Sequence, residues 1–530
     1  MRDGETLVLT GQAGKQYSCI WSSNPNAGAM KEVFFPADRS YAVALFKEGR
    51  EPDKSGMARL DALVNTYRPQ LFEGPNPVAN DYWGRIFCWP YDIVSGGGRV
   101  GIVMPLYPGN FFFKSDHSTI KKGQEKMSGW FTDPFLRYYR VPPAEVGDWK
   151  NTFEVSLLIA RGIRKMHAMG LAHSDLSYKN VLVDPAGRSA YIIDIDGLVV
   201  PGKFDAEVEG TPEYIAPEVV ASRGKAARYT PSQETDKHAL AVLIYQLLLG
   251  RHPLKGKKRF EDDDSDSREM GRDALFIENP LNPAARYDAA WVKSGLPPRK
   301  QAQKLPYLFP WLDLDKVPYT VLGPYLSDLV ERAFVSALCP PRDKGRRPTA
   351  AEWESALERT LELLHPCENP KCVAKWFVFD GESKPICPFC GTKVGHPIPV
   401  MKFVQTNRDG TEGYESMSVA SLQNSRKLVQ RRVVLWDNGK LGSSWLFPCH
   451  AHTNIPPREN RTKAQNQGMA KIVGVQNRMG LYNIASNNMF VSLKGGKPQR
   501  LDKGKGVALV NGLRIQLDGL GSRVLEIEMR

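Results

Sequence analysis

Eight consecutive residues, His173-Ser174-Asp175-Leu176-Ser177-Tyr178-Lys179-Asn180, followed fourteen residues later by Asp194, constrain this chain more than any other feature. Asp175 offers a carboxylate that can orient a hydroxyl and accept its proton. Asn180 and Asp194 offer two oxygen ligands for a hard divalent cation. Ile192-Ile193 completes an apolar strand just ahead of Asp194. Two registers compete in Ile193-Asp194-Ile195-Asp196-Gly197-Leu198. Asp194 is favoured by the strand before it; Asp196 precedes a glycine and is a candidate second ligand. Upstream, Phe153, Leu157, Ile163 and Met166 recur at helical spacing, and Gly170 ends that helix.

At 530 residues the chain is too long for one ordinary domain. Its charge of +13 is unevenly placed: residues 397–530 hold 20 Lys/Arg and 9 Asp/Glu, or +11, leaving +2 for residues 1–396. No apolar run reaches the roughly 18 residues of a membrane span. The longest, Ala239 to Leu249, reads as a buried helix. Met1-Arg2-Asp3-Gly4-Glu5 lacks the apolar core of a signal peptide. Four of eight cysteines cluster at metal-ligand spacing, which favours a reducing, cytoplasmic setting without membrane partners.

Other strings fall in order around the first. Val33-Phe34-Phe35 and Tyr41 to Lys47 read as strands joined by a turn at Pro36-Ala37-Asp38-Arg39. Val100 to Pro105 reads as a buried strand entering Pro105-Leu106-Tyr107-Pro108-Gly109. Further on lie Gly210-Thr211-Pro212-Glu213-Tyr214-Ile215-Ala216-Pro217-Glu218, Asp236 and Arg347. Over about residues 15–364 the set resembles the protein kinase family, with its H-R-D-L-x-x-x-N, D-F-G and G-T-P-E-Y-x-A-P-E strings. The Thr-Pro pair is shared with Ser/Thr kinases.

That resemblance implies ATP and Mg²⁺ (or Mn²⁺) as cofactors and a protein substrate. Such chemistry rests on positioning and electrostatics. By position, Asp175 would accept the substrate proton, and Asn180 and Asp194 would hold the metal. Lys47, ending a V-A-x-K-like strand, would hold the α/β-phosphates. Lys179, at the place where tyrosine kinases carry an arginine, would face the γ-phosphate. Met104 would be the gatekeeper, and adenine would take the Pro105 carbonyl and the Tyr107 N–H. Proline suits the first of these because only its carbonyl is needed.

Several positions depart from the family pattern. The glycine loop keeps only Gly28, though Lys31 adds charge. Asp61 is the candidate acidic partner of Lys47, with Glu51 and Asp53 as alternatives beside Pro52. Ser174 replaces the arginine before the catalytic aspartate, and Ser177 replaces the lysine two after it. From Ile195 to Gly210 there is no Ser, Thr or Tyr. The expectation is a non-RD kinase that needs no activation-segment phosphorylation. The family also pairs Glu218 with Arg347 and braces the catalytic loop with Asp236.

Cys367-x₄-Cys372-x₁₄-Cys387-x₂-Cys390 can close a tetrahedral Zn²⁺ shell. A redox C-x-x-C pair is the alternative, and the second pair argues for structural zinc. Beyond it, Arg431–Trp436, Asn438-Gly439, Gly480–Ile484, Val507–Val510, Leu513–Leu517 and Val524–Met529 read as strands and turns of a β-sandwich. Leu481 to Asn488 weakly resembles a forkhead-associated domain, with Gln467 and Met469 where its phosphothreonine-binding residues would fall.

The expected fold class is α+β. A bilobal protein-kinase-like fold (1–364, with an insertion near 255–320) precedes a zinc ribbon (365–395), a linker (396–424) and an all-β, forkhead-associated-like sandwich (425–530). Within the insertion, the charge run Asp262-Asp263-Asp264 reads as a solvated loop. This order resembles the bacterial eukaryotic-like kinases of tellurite-resistance systems, which implies a PP2C-type phosphatase and a von Willebrand A protein as partners. The expected activity is transfer of the γ-phosphoryl group to Ser/Thr. The alternative is a nucleotide-binding pseudokinase scaffold that recruits partners through the basic C-terminal domain. Nucleic acid binding there would show as salt dependence.

Overall fold

The computed structural model describes residues 2–28, 30–200, 202–206, 209–226, 228–256, 270–271, 273–282, 310–338, 347–420, 426–437, 440–442, 460, 468–475, 478–484, 486, 488–517 and 519–530. Alternating apolar and polar side chains build an antiparallel sheet in the N-terminal lobe. Its strands are β1 (Thr6–Gly11), β2 (Gln16–Ile20), β3 (Asn26–Ala27), β4 (Lys31–Phe34), β5 (Ala42–Phe46), β6 (Asp92–Gly96) and β7 (Arg99–Met104). They lie in the order β2-β1-β6-β7-β5-β4-β3. Buried throughout, β5 sends Val43 and Leu45 toward Leu9, Tyr17 and Phe34 on one face. Ala44 and Phe46 go to the other face, against Leu60 and Val64. Leu60 belongs to helix α1 (Lys54–Ala62), whose first turn is capped by the Asp53 carboxylate, accepting from the Gly56 N–H at 2.8 Å.

Helices α2 (Arg68–Phe72) and α3 (Pro77–Gly84) lead toward the second lobe. There α4 (Trp149–Ala168) buries Phe153, Leu157, Ile163 and Met166, as their spacing predicts. The hairpin β8 (Val181–Asp184) and β9 (Ser189–Ile192) carries the segment between Asn180 and Asp194. The Ile192 N–H donates to the Ile86 carbonyl at 2.7 Å, and the Cys88 N–H donates to the Ile192 carbonyl at 2.9 Å. Helices α5 (Pro217–Ala221) and α6 (Gln233–Leu249) follow. The latter is buried nearly all round and stops at Gly250, whose φ of 64° suits a residue without a Cβ.

Of the insertion expected at 255–320, residues 257–269, 272 and 283–309 lie outside the described residues, including Asp-Asp-Asp at 262–264. Its described part contributes to the core. Phe276 and Ile277 are buried, and Glu278 accepts from Arg251 at 2.7 Å in a buried ion pair.

The hairpin Leu364–Pro366/Trp376–Val378 and the four cysteines sit against α4. The Trp149 N–H donates to the Ala374 carbonyl at 3.1 Å, and its ring meets Phe389 at 4.7 Å. The stretch 396–424, expected to be a linker, instead supplies the strand Pro399–Thr406. That strand pairs with Leu525–Met529 along one edge and with Arg432–Val434 at the other. Its run of apolar residues is buried on both faces, so it lacks the alternation that marks an exposed-face strand. The strands expected near 432, 480, 507, 513 and 525 are present, while Gly468–Val475 and Phe490–Leu493 add two more. Two sheets share one core of Met401, Phe403, Ile472, Leu481, Ile515 and Ile527. Residues 438–439 and Gln467 lie outside the described residues.

Candidate active site

The loop after α4 is fixed from beneath by one buried carboxylate. Asp236 accepts from the His173 N–H at 2.7 Å and from the Ser174 N–H at 3.0 Å. His173 in turn bonds the Ile193 carbonyl through Nε2 at 3.0 Å, and the Ile193 N–H donates to the Asn180 carbonyl at 3.0 Å. This backbone lattice sets Asp175, Asn180 and Asp194 side by side. His173 is therefore a structural brace.

Asp175 is held from two sides. Its Oδ1 accepts from the Thr211 N–H at 2.6 Å and hydroxyl at 2.8 Å, and its Oδ2 accepts from Asn180 Nδ2 at 2.9 Å. Asn180 spends that same amide on the Asp175 carbonyl at 2.8 Å, leaving its Oδ1 as the atom available to a cation. The Thr211 hydroxyl also lies 3.1 Å from the buried Ser177 hydroxyl, which fills the lysine position of the family pattern with a neutral group. Gly210, at φ 109°, lets the segment pass here: a Cβ would stand 3.1 Å from the Ser174 carbonyl. Glu218 and Arg347 form the expected pair, with both contacts at 2.7 Å.

Asp194 adopts a left-handed conformation, φ 58°, and opens a short turn that turns Asp196 inward. Both registers weighed from sequence thus reach the site: Asp194 is half exposed, and Asp196 is nine-tenths buried. Lys31 lies between them, 3.4 Å from Asp194 Oδ1 and in closer contact with Asp196 Oδ2. Burial disfavours the Lys31 ammonium, but Asp196 and Asp194 outweigh it and raise its pKa. Burial, and then the Asp196 charge, push the Asp194 carboxyl above the usual carboxylate range.

The structure does not bring Lys47 to this cluster. Lys31 pairs across the ladder with Phe46 and so shares its face, over whose ring it sits at 5.8 Å. Lys47 is one residue further on and turns the other way. Its ammonium caps the Gly28 carbonyl at 2.7 Å. Counting toward the strand end found Lys47; counting side-chain parity finds Lys31. We expect Lys31→Met to lower phosphoryl transfer about 10²–10³-fold, as losing a charge-stabilising donor does, and Lys47→Ala to keep most of it. A steady-state transfer assay in which Lys47→Ala is the dead variant would reverse this assignment.

Asp61 is likewise elsewhere. It is exposed on α1 and accepts from Gln12 at 3.0 Å and Asn65 at 2.8 Å, so it ties the β1–β2 hairpin to the helix. Asp53 is spent as the α1 cap. Lys179 is exposed, its ammonium 5.7 Å from the centre of the Tyr178 ring. Gly28 closes a tight turn, its N–H donating to the Lys31 carbonyl at 2.9 Å, in place of a longer glycine loop.

At the hinge, Met104 pairs with Ala42 and packs with Tyr107 against Leu182, Tyr191 and Ile193, an apolar wall suited to a planar base. The Pro105 carbonyl lies 3.7 Å from the Cys88 thiol, a weak partner that a better donor can displace. The donor set fits the cofactors that the sequence implied: oxygen atoms of Asn180, Asp194 and Asp196 for a hard divalent cation, and a lysine for phosphate.

Residues 147–305 match the protein kinase domain family. Over that stretch, about three tenths of the chain, the sequence is similar to protein kinase domains. Human serine/threonine-protein kinase H1 is 36% identical over 121 residues, 22% of this chain and 26% of the relative. Human serine/threonine-protein kinase H2 is 34% identical over 125 residues, 22% of this chain and 29% of the relative. Serine/threonine-protein kinase ULK3 of Mus musculus is 25% identical over 213 residues, 39% of this chain and 42% of the relative. The chain thus spans less than half the length of these curated relatives.

The second cluster is a candidate metal centre. The four sulfurs of Cys367, Cys372, Cys387 and Cys390 all lie within 4.8 Å of one another. Cys367 and Cys390 are 3.5 Å apart, and Cys372 and Cys387 are 3.8 Å apart. A tetrahedral ion with bonds of about 2.3 Å sets edges of roughly 3.8 Å, so the donors fit.

Proposed function

We propose that this chain is an ATP-dependent protein kinase that transfers the γ-phosphoryl group to Ser or Thr of a protein substrate. The observation that carries the reading is the two-sided hold on Asp175, facing a cluster of Asn180, Asp194, Asp196 and Lys31. Nucleotide bound with its metal would supply the electrophilic phosphorus. Asp175 orients the incoming hydroxyl and takes its proton. Asn180 and Asp194 offer the metal oxygen ligands, Lys31 offers charge to the phosphates, and the wall around Leu182 and Tyr191 excludes water from the base. Residues Cys367, Cys372, Cys387 and Cys390 would hold a structural Zn²⁺.

The non-RD reading gains support from Ser174. Its N–H is taken by Asp236, and its hydroxyl lies 3.4 Å from the Gly197 carbonyl, so it presents no cation to a phosphate. Phosphatase-treated protein should keep its initial rate on an exogenous substrate. A large loss restored by phosphate at Thr211 would sink this reading.

A second reading, a nucleotide-binding scaffold, is favoured by the Lys31 contacts, which occupy both metal-binding aspartates. Labelled ATP separates the two: transfer to Ser/Thr supports the kinase, and binding without transfer supports the scaffold. The resemblance to tellurite-resistance kinases makes a PP2C-type phosphatase and a von Willebrand A protein the first partners to test. The forkhead-associated likeness is narrower: Asn483 and Ser486 are buried and lock a loop through the Leu501 and Leu517 carbonyls, a structural role.

A further inference from the structure

Two carboxylates and one ammonium leave the Lys31 cluster short of positive charge. Asp196 Oδ2 is engaged by Lys31, but Asp196 Oδ1 is buried with no hydrogen-bond partner among the described residues. A buried carboxylate oxygen without a donor is costly, and the cost is removed by a cation. Asp196 also lines a cavity of about 480 Å³ beside α1, so an ion and its water can reach it. Asp194 stands half exposed on the other side, and Asn180 Oδ1 is available nearby. Magnesium and manganese take one or two carboxylates together with phosphate and water oxygens. The protein cation and a metal ion would claim the same oxygens.

We propose that Asp194 and Asp196 together form a divalent-cation site in which Lys31 stands in for the metal, so that metal entry and the Lys31 contact exclude each other. Asp196 is then a ligand, which the glycine of D-F-G cannot be. Metal entry releases an ammonium that already faces the cleft, beside the phosphates that arrive with the metal. The order of events is built into the site: the lysine is free for phosphate only once a metal has replaced it. This inference rests on the kinase reading for its purpose, but its test uses neither nucleotide nor transfer.

The experiment is a Mn²⁺ titration of the full, zinc-loaded chain without nucleotide, followed by electron paramagnetic resonance. Lys31→Met should bind Mn²⁺ at least tenfold more tightly than wild type, because the competing charge is gone. Lys31→Arg, which keeps the charge, should stay near wild type. Adding Asp196→Asn to Lys31→Met should cancel the gain. The Mn²⁺ titration involves neither nucleotide nor phosphoryl transfer, so failure of the kinase reading leaves its result intact. A second readout needs no variant: acetic anhydride should label Lys31 several-fold faster at saturating Mg²⁺, with Lys47 unchanged, as mapped by mass spectrometry. Equal or weaker Mn²⁺ binding by folded Lys31→Met, or Lys31 labelling indifferent to Mg²⁺, would overturn the proposal.

Discussion

Replacing Asp175 by Ala should lower the transfer rate about 10²–10⁴-fold, the usual worth of a positioned general base. ATP affinity should change little, because no adenine or phosphate contact is assigned to this side chain. The expectation follows from geometry. Asp175 has its orientation set by Thr211 and Asn180 rather than by a cation, since Ser174 and Ser177 replace the charged neighbours of the family pattern. The same substitution frees the Thr211 hydroxyl and the Asn180 amide, so part of the loss will come from a displaced metal ligand. Asp175→Asn, which keeps the shape, should lose nearly as much if proton acceptance dominates. Single-turnover transfer from labelled ATP separates these contributions. Transfer by Asp175→Ala at the wild-type rate would remove Asp175 from the chemistry altogether.

Loss of the metal proposed for the four-cysteine centre should have the second large effect, and it should be felt inside the lobe that carries Asp175. The centre does not hang from a tether. Trp149, the first residue of α4, is fully buried between Phe153 and Phe389 of the C-x-x-C turn. Trp376 Nε1 donates at 2.9 Å to Asp148, the residue that caps α4. A metal-closed turn of this size depends on the ion for its fold. Unfolding it strips one side of Trp149, a loss comparable to a large-to-small core change of about 3–5 kcal/mol. For a domain of this class that is a fall in melting temperature of roughly 6–20 °C. Chelation, or Cys387→Ser, should show it in a thermal melt alongside a zinc assay. Metal-free protein that melts with the holo form would refute the coupling.

The sequence by itself determined which residues come together wherever spacing along one loop or one helix sets their geometry. Asp175, Asn180 and Asp194 are near neighbours across a single hairpin, and Cys387 and Cys390 across a single turn, so their intervals already encode proximity. Asp236, Glu218 and Arg347 were legible because they stand in ordered strings. Tertiary structure decided the rest. Lys31 and Lys47 lie on neighbouring strand positions whose faces are set by pleat and cross-strand register, and only pairing with Phe46 shows that Lys31 looks into the site. Asp61 was a plausible partner by helical position, but the rotation of α1 against the sheet hands it to Gln12 and Asn65. Pro399–Thr406 looked like a linker because a strand buried on both faces carries no alternation, and one of its partners, Leu525–Met529, is over a hundred residues away. Local intervals survive folding unchanged, whereas face, rotation and long-range pairing are properties of the packed chain.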